Sequence, residues 1–166
     1  ATAFVKRTNV PQMLDEGYHH VTIDTFEHRM DAEGLKVSAD FQKYLVEELG
    51  FAKKALLIGM SWGGFFSVRY AANYPENVDK AYLDAPLLCF SNFKIGIGPW
   101  EKVQPADGDW SKCPEMPVNM AERLAKAGIP VLLLYGGHDQ TCVPALNAEP
   151  FEKAFRAAGG FMKTVK

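Results

Sequence analysis

The chain has too few cysteines to be built on disulfides. Cys89, Cys113 and Cys142 are an odd number in 166 residues, and no CxxC pair occurs. A disulfide framework or a zinc ribbon is therefore not expected, although one bridge stays open. Excess charge is also lacking: 18 basic against 20 acidic side chains leave a net charge of −2. A nucleic-acid binder would normally carry a surplus of Lys and Arg, so nucleic acid is not an expected partner. No apolar run approaches the roughly 20 residues of a membrane span, so no membrane partner is expected and the chain reads as soluble. No histidine pair has ligand spacing with a carboxylate on one helix face, which predicts no metal site. No cofactor motif is present either. The Gly-Lys-Ser/Thr arrangement of a phosphate-binding loop is missing. So are internal repeats and low-complexity stretches.

What is present is a substantial apolar fraction, 48% of the residues. That is enough for a core, and the length suits a single domain over residues 1–166. Short apolar runs alternate with helical patterns, as in a parallel sheet with crossover helices. The expected strands are Tyr18–Asp24, Ala55–Met60, Lys80–Asp84 and Pro130–Tyr135, with a last one beginning near Phe161. Ala55–Ile58 and Val131–Tyr135 are continuously apolar, which fits strands buried on both faces.

Helix limits are legible as well. Asn9 and Pro11 open a short helix that ends at Gly17. Val37, Phe41, Leu45 and Leu49 fall four apart, on a helix that Ser38 would start and Gly50 would end. Further helices are expected from Trp62 to Tyr74, from Val118 to Ala127 and from Asn147 to Ala158. Leu87–Met116 has no period. It reads as an irregular excursion holding Trp100 and Trp110, a lid in one reading and aromatic packing on the core in the other.

One motif carries chemistry. Gly59-Met60-Ser61-Trp62-Gly63-Gly64 fits G-x-S-x-G, between a buried strand and the start of a helix. A sharp turn there would hold Ser61 in a strained conformation and lift its hydroxyl off the sheet. Gly59 and Gly63 would let strand and helix approach closely. The backbone N–H of Trp62 would then face a developing oxyanion. A serine nucleophile needs a base, and the base needs an orienting acid. Asp139, after Tyr135-Gly136-Gly137-His138, lies at the C-terminal end of a later strand, on the same sheet edge as Ser61. A capping carboxylate is its plainer reading. Asp84 is the rival acid, with a turn role before Ala85-Pro86 as its plainer one. His28 and His138 are weak candidates for the base, and His19 and His20 enter a strand at the wrong edge.

Several stretches together resemble the α/β-hydrolase superfamily, in its bacterial esterase-like branch related to carbohydrate esterases and prolyl-oligopeptidase-type hydrolases. They are Gly17-Tyr18-His19-His20-Val21-Thr22-Ile23-Asp24, Leu45 to Phe51, the Gly59–Gly64 elbow, Tyr82-Leu83-Asp84-Ala85-Pro86, and Gly128 to Val131 leading on to Tyr135–Asp139. The resemblance spans nearly the whole chain. It implies a three-layer α/β sandwich with a mostly parallel sheet. It also implies Ser61 as nucleophile, Asp139 as triad acid and the Trp62 N–H as an oxyanion donor. The family places its catalytic His after the next strand, whereas this chain has no histidine beyond His138. The sequence therefore reads as a central piece of a larger hydrolase, cut at both ends, inactive or nearly so by itself. The expected function is esterase-type hydrolysis of a small-molecule ester through an acyl-enzyme on Ser61. The alternatives are a non-catalytic binding module and a serine peptidase of the same fold. Sheet edges left open by such a cut would invite self-association.

Overall fold

The computed structural model describes Val5, residues 8–92 and residues 96–166. Residues 93–95 of the irregular excursion lie outside the described residues. Four strands, β1 (Ala55–Met60), β2 (Val78–Asp84), β3 (Val131–Leu134) and β4 (Met162–Val165), form one sheet in the order β1-β2-β3-β4. Every neighbouring pair is parallel. Parallel neighbours need crossovers, and the helices supply them. Helix α1 covers Val10–Asp15 and α2 Ala32–Glu47; α3 is Trp62–Asn73, α4 Ala121–Lys126 and α5 Ala148–Ala157.

Because the strand order runs steadily in one direction, right-handed crossovers place α3, α4 and α5 on the same face. Register agrees. Gly59, Leu83 and Leu133 are cross-strand partners on one face, as are Ala81, Val131 and Met162 one pleat earlier. These side chains are buried beneath Phe65 and Val68 of α3 and Phe151 and Phe155 of α5. The opposite face carries Leu56, Ile58, Tyr82, Leu132 and Leu134, all half-buried. The expected α/β class, a parallel sheet flanked by helices, is what the chain forms.

Tyr18–Asp24 is not a strand. Its β-branched, alternating pattern is real, but a strand exists only through its ladder, and no described segment pairs with it. Tyr18, Val21 and Ile23 are correspondingly exposed.

The second helix begins earlier than its capping residue suggested. Asp31 rather than Ser38 is the N-cap, and its side chain accepts from the Gly34 N–H at 2.9 Å. Ser38 instead donates to the carbonyl of Gly34 at 2.8 Å, inside the helix. The buried face holds Leu35, Gln42 and Leu45, so the Val37–Leu49 stripe is rotated partly into solvent and Leu49 is 50% exposed.

Polar bonding explains that rotation. Gln42 Nε2 donates to the carbonyls of Lys53 and Asn77, both at 2.8 Å, and its Oε1 accepts from the Tyr70 hydroxyl at 2.8 Å. One buried amide thus ties α2 to α3 and to the entries of β1 and β2. Replacing Gln42 by alanine takes away the acceptor of the buried Tyr70 hydroxyl, which keeps only the Asn77 amide at 3.2 Å, and opens a cavity. We expect a loss of about 2–4 kcal/mol, read as a melting temperature lower by roughly 5–10 °C.

The excursion packs onto the core. Trp100 meets the rings of Phe65 and Phe90 edge-on at centroid distances of 5.5 and 6.1 Å, and Trp110 meets Phe90 at 5.2 Å. Both tryptophans are buried. Arg69 anchors this segment from α3. It donates from Nε to the Met30 carbonyl at 2.8 Å, pairs with Glu115 at 3.1 Å, and lies 4.5 Å from the centre of the Trp100 ring. Burial lowers its proton affinity from the ordinary value, and Glu115 opposes that shift. Among the described residues, no helix is long and apolar enough to cross a membrane.

Candidate active site

In the turn from β1 into α3, the backbone at Ser61 is strained, as its sequence predicts. Ser61 sits at φ 52°, ψ −117°, a region costly for a residue with a Cβ. Three bonds hold it there. Its N–H donates to the Asp84 carbonyl at 3.1 Å, and its own carbonyl accepts from Gly64 and Leu87, each at 2.9 Å. Strand β2 and the segment after it thereby lock the bend from beneath. Trp62 is the first residue of α3. Its N–H points out of the positive end of that helix, as the first amides of any α-helix do.

The tight approach uses a different pair of glycines from the expected one. A Cβ on Gly59 would lie 2.3 Å from the Gly63 carbonyl oxygen and 2.6 Å from Ser67 Oγ. A Cβ on Gly64 would lie 2.3 Å from Pro86 Cβ and 2.8 Å from Pro86 Cα. On Gly63 it would meet nothing within 4 Å. The first motif glycine is thus required by contact, as expected. The close packing assigned to Gly63 belongs to Gly64, because that position faces the Asp84-Ala85-Pro86 turn.

Asp139 lies in the loop after β3, at the same sheet edge. Its Oδ1 accepts from the N–H groups of Thr141 and Cys142 at 2.8 and 2.9 Å. Among the described residues, Oδ2 has no hydrogen-bond partner. The turn that caps the loop thus spends one carboxylate oxygen and leaves the other.

Serine and acid loop meet through a residue the sequence reading missed. Cys142 Sγ is 4.0 Å from Ser61 Oγ, and Cys142 is buried. Burial pushes its thiol up from the ordinary value, the contact with Ser61 opposing, so it stands protonated at neutral pH. Its spacing from Asp139 is the one signal that marks it. The cysteines Cys89, Cys113 and Cys142 are all free, so the one possible disulfide does not form.

Asp84 touches the elbow through its backbone carbonyl, and the histidines lie elsewhere. Asp84 is buried at the end of β2, where its carbonyl supports the elbow, and Ala85 beside it has φ 43°. His28 pairs with Glu27 at 3.4 Å and lies 4.0 Å from Asp31, at the start of α2. His138 is exposed on the rim of a shallow, open depression of about 430 Å³ that also includes Asp139, Val143 and Glu149. His19 meets the Phe51 ring in a tilted arrangement, with centroids 4.7 Å apart. On the other side of the elbow, Phe26 meets the Trp62 ring edge-on at 6.0 Å, and the Arg29 guanidinium lies 3.6 Å from the centre of the Phe26 ring. Among the described residues, no group of three or more His, Cys, Asp or Glu side chains is arranged to hold a metal ion.

Residues 22–116 match the family model described as the alpha/beta hydrolase fold. That match covers more than half of the chain and includes the whole elbow. The chain belongs to the α/β-hydrolase fold family. Over 88 residues it is 28% identical to a 1-acylglycerol-3-phosphate O-acyltransferase of Saccharomyces cerevisiae, a match covering 49% of this chain and 22% of that protein. Among solved structures, a protein described as a dipeptidyl aminopeptidase IV from Bacteroides ovatus superposes with a TM-score of 0.62 at 22% identity, over 80% of this chain and 18% of the other. MPT51 of Mycobacterium tuberculosis superposes at 0.52 with 20% identity, over 77% of this chain and 57% of the other. An acylaminoacyl peptidase from Pyrococcus horikoshii gives 0.56 at 14% identity, over 81% of this chain and 22% of the other. The chain therefore spans less than two thirds of each of these proteins, and about a fifth of three of them. The structural likenesses bear on the fold alone.

Proposed function

We propose that this chain carries the nucleophile and the acid of a serine hydrolase that cleaves carboxylic esters. The observation that carries this reading is Ser61 held at φ 52° between β1 and α3, with the loop of Asp139 against its hydroxyl. Ser61 Oγ attacks the ester carbonyl. A histidine expected beyond Lys166 takes the serine proton, oriented by Asp139, whose Oδ2 faces no other partner among the described residues. The Trp62 N–H steadies the charge that develops on the carbonyl oxygen. Collapse of the tetrahedral intermediate expels the alcohol and leaves an acyl-enzyme, which water hydrolyses by the reverse proton path. Preorganised amide donors of this kind are worth about 3–4 kcal/mol of barrier each.

The test uses the full-length protein. A fluorophosphonate should label it once, with the adduct mapped to Ser61 by mass spectrometry. The same protein should hydrolyse p-nitrophenyl acetate. Labelling elsewhere, with turnover unaffected, would remove Ser61 from the mechanism. A peptidase of the same fold would instead favour amino-acyl p-nitroanilides over the acetate ester.

A further inference from the structure

Between the elbow and the acid loop lies a side chain with no contact to solvent and no part in the chemistry above. Asn147 immediately precedes α5 and is 0% exposed. Its Oδ1 accepts from two consecutive backbone amides, Leu88 at 2.7 Å and Cys89 at 2.9 Å. Its Nδ2 donates to the carbonyl of Val143 at 2.9 Å. The assignment of oxygen and nitrogen is unambiguous, because two N–H groups demand an acceptor and a carbonyl demands a donor. No other standard side chain of this size offers both on one planar group.

These bonds close a ring around the site. Leu87, one residue before Leu88, donates to the Ser61 carbonyl at 2.9 Å. Val143, the carbonyl that Asn147 holds, follows Cys142. The Cys142 amide binds Asp139 Oδ1 at 2.9 Å, and its sulfur lies 4.0 Å from Ser61 Oγ. The circuit runs from the Ser61 backbone through residues 87–89, Asn147 and the acid loop back to the Ser61 hydroxyl. Asn147 is the fully buried side-chain bridge between the elbow's support and the acid's loop; farther out, Asn92 Nδ2 donates to the Thr141 carbonyl at 3.1 Å.

We infer that Asn147 is a positioning residue that sets the separation of Ser61 and Asp139, and so the fit of the base between them. This rests on the reading of those two residues as nucleophile and acid. The cause is geometric: the β2–β3 ladder closes with the Ala85 N–H on the Leu134 carbonyl at 2.8 Å, and beyond it residues 87–89 and 139–143 leave the sheet, so the buried amide that spans them fixes their spacing next to Ser61. Misplacing a catalytic group by about 1 Å can cost on the order of 10²-fold in rate.

The experiment compares N147D and N147A in the full-length protein. Aspartate keeps an acceptor for the Leu88 and Cys89 amides but turns an oxygen toward the Val143 carbonyl. Alanine loses both functions. With p-nitrophenyl acetate, well below the unfolding temperature, kcat is expected to fall about 10- to 100-fold in both variants with KM within about twofold. The fluorophosphonate labelling rate should fall in parallel. A purely structural asparagine would lower the melting temperature and leave kcat of the folded enzyme within twofold; that result overturns the inference. If neither variant folds, hydrogen exchange in the unsubstituted protein decides. Labelling Ser61 should change exchange of the Leu88 and Cys89 amides severalfold if the ring couples them, and no change refutes it. S61A, assayed alongside, separates the two ideas. Retained activity there defeats the nucleophile assignment, whereas a dead S61A beside active Asn147 variants defeats only the positioning role.

Discussion

Ser61→Ala in the full-length protein is expected to lower kcat/KM for p-nitrophenyl acetate by at least about 10³-fold, while the fold and the Kd for a non-hydrolysable ester analogue change little. In the proposed mechanism the first bond forms to Ser61 Oγ, and no neighbour is placed to replace it. The sulfur beside it, Cys142 Sγ, is 4.0 Å away, buried and held as the thiol. It is a poor substitute because the thiolate is the reactive form. Residual turnover would reflect the amide donors alone. Alanine keeps the Cβ and therefore keeps the strain at φ 52°, so stability should move by less than about 0.5 kcal/mol. Glycine at the same position relieves that strain. Ser61→Gly should be equally inactive and more stable by about 1 kcal/mol or more. The pair of variants, compared by ester assay and thermal melt, tests whether the elbow's strain is real and whether the hydroxyl is its purpose.

The largest effects on stability should come from two motif glycines and not from the one between them. Gly59→Ala drives a Cβ into the Gly63 carbonyl, and Gly64→Ala drives one into the Pro86 backbone. Backbone cannot swing aside as a side-chain tip can, so strand β1, helix α3 and the Asp84–Pro86 turn must separate. Overpacking of this kind costs about 3 kcal/mol or more, or roughly 6–12 °C in melting temperature for a chain of this size. Gly63→Ala meets open space on a helix and should be neutral or slightly stabilising, since alanine favours helix over glycine by about 1 kcal/mol. Equal losses at all three positions would contradict the packing described for the elbow.

The elbow was legible because its constraints are local. A strand, a serine at positive φ and the glycine at 59 that the close approach requires lie within six residues. β1 and β3 were legible because continuous apolar runs have no other comfortable place. Tyr18–Asp24 misled because its pattern describes a surface suited to pairing without supplying the partner. The start of α2 misled because Asp31 and Ser38 are both good caps, and the stripe alone does not show which face meets α3. That choice fell to Gln42, whose three bonds lie 11 to 35 residues away in sequence. Asn147 gave no signal: an asparagine before a helix reads as a cap, yet its side chain here makes no capping bond.

By itself, then, the order of residues determined the alternation of strand and helix, the nucleophile-type bend at Ser61 and the placement of Asp139 on the same edge. Each follows from short-range sterics or from apolar periodicity, which act between neighbours along the chain. Tertiary structure alone decided that Gly64 rather than Gly63 makes room for Pro86, that Cys142 lies against the serine, and that Asn147 ties residues 88 and 89 to 143. Those are contacts between segments distant in sequence, and a buried polar group finds its partners only once the core has brought them within hydrogen-bond reach.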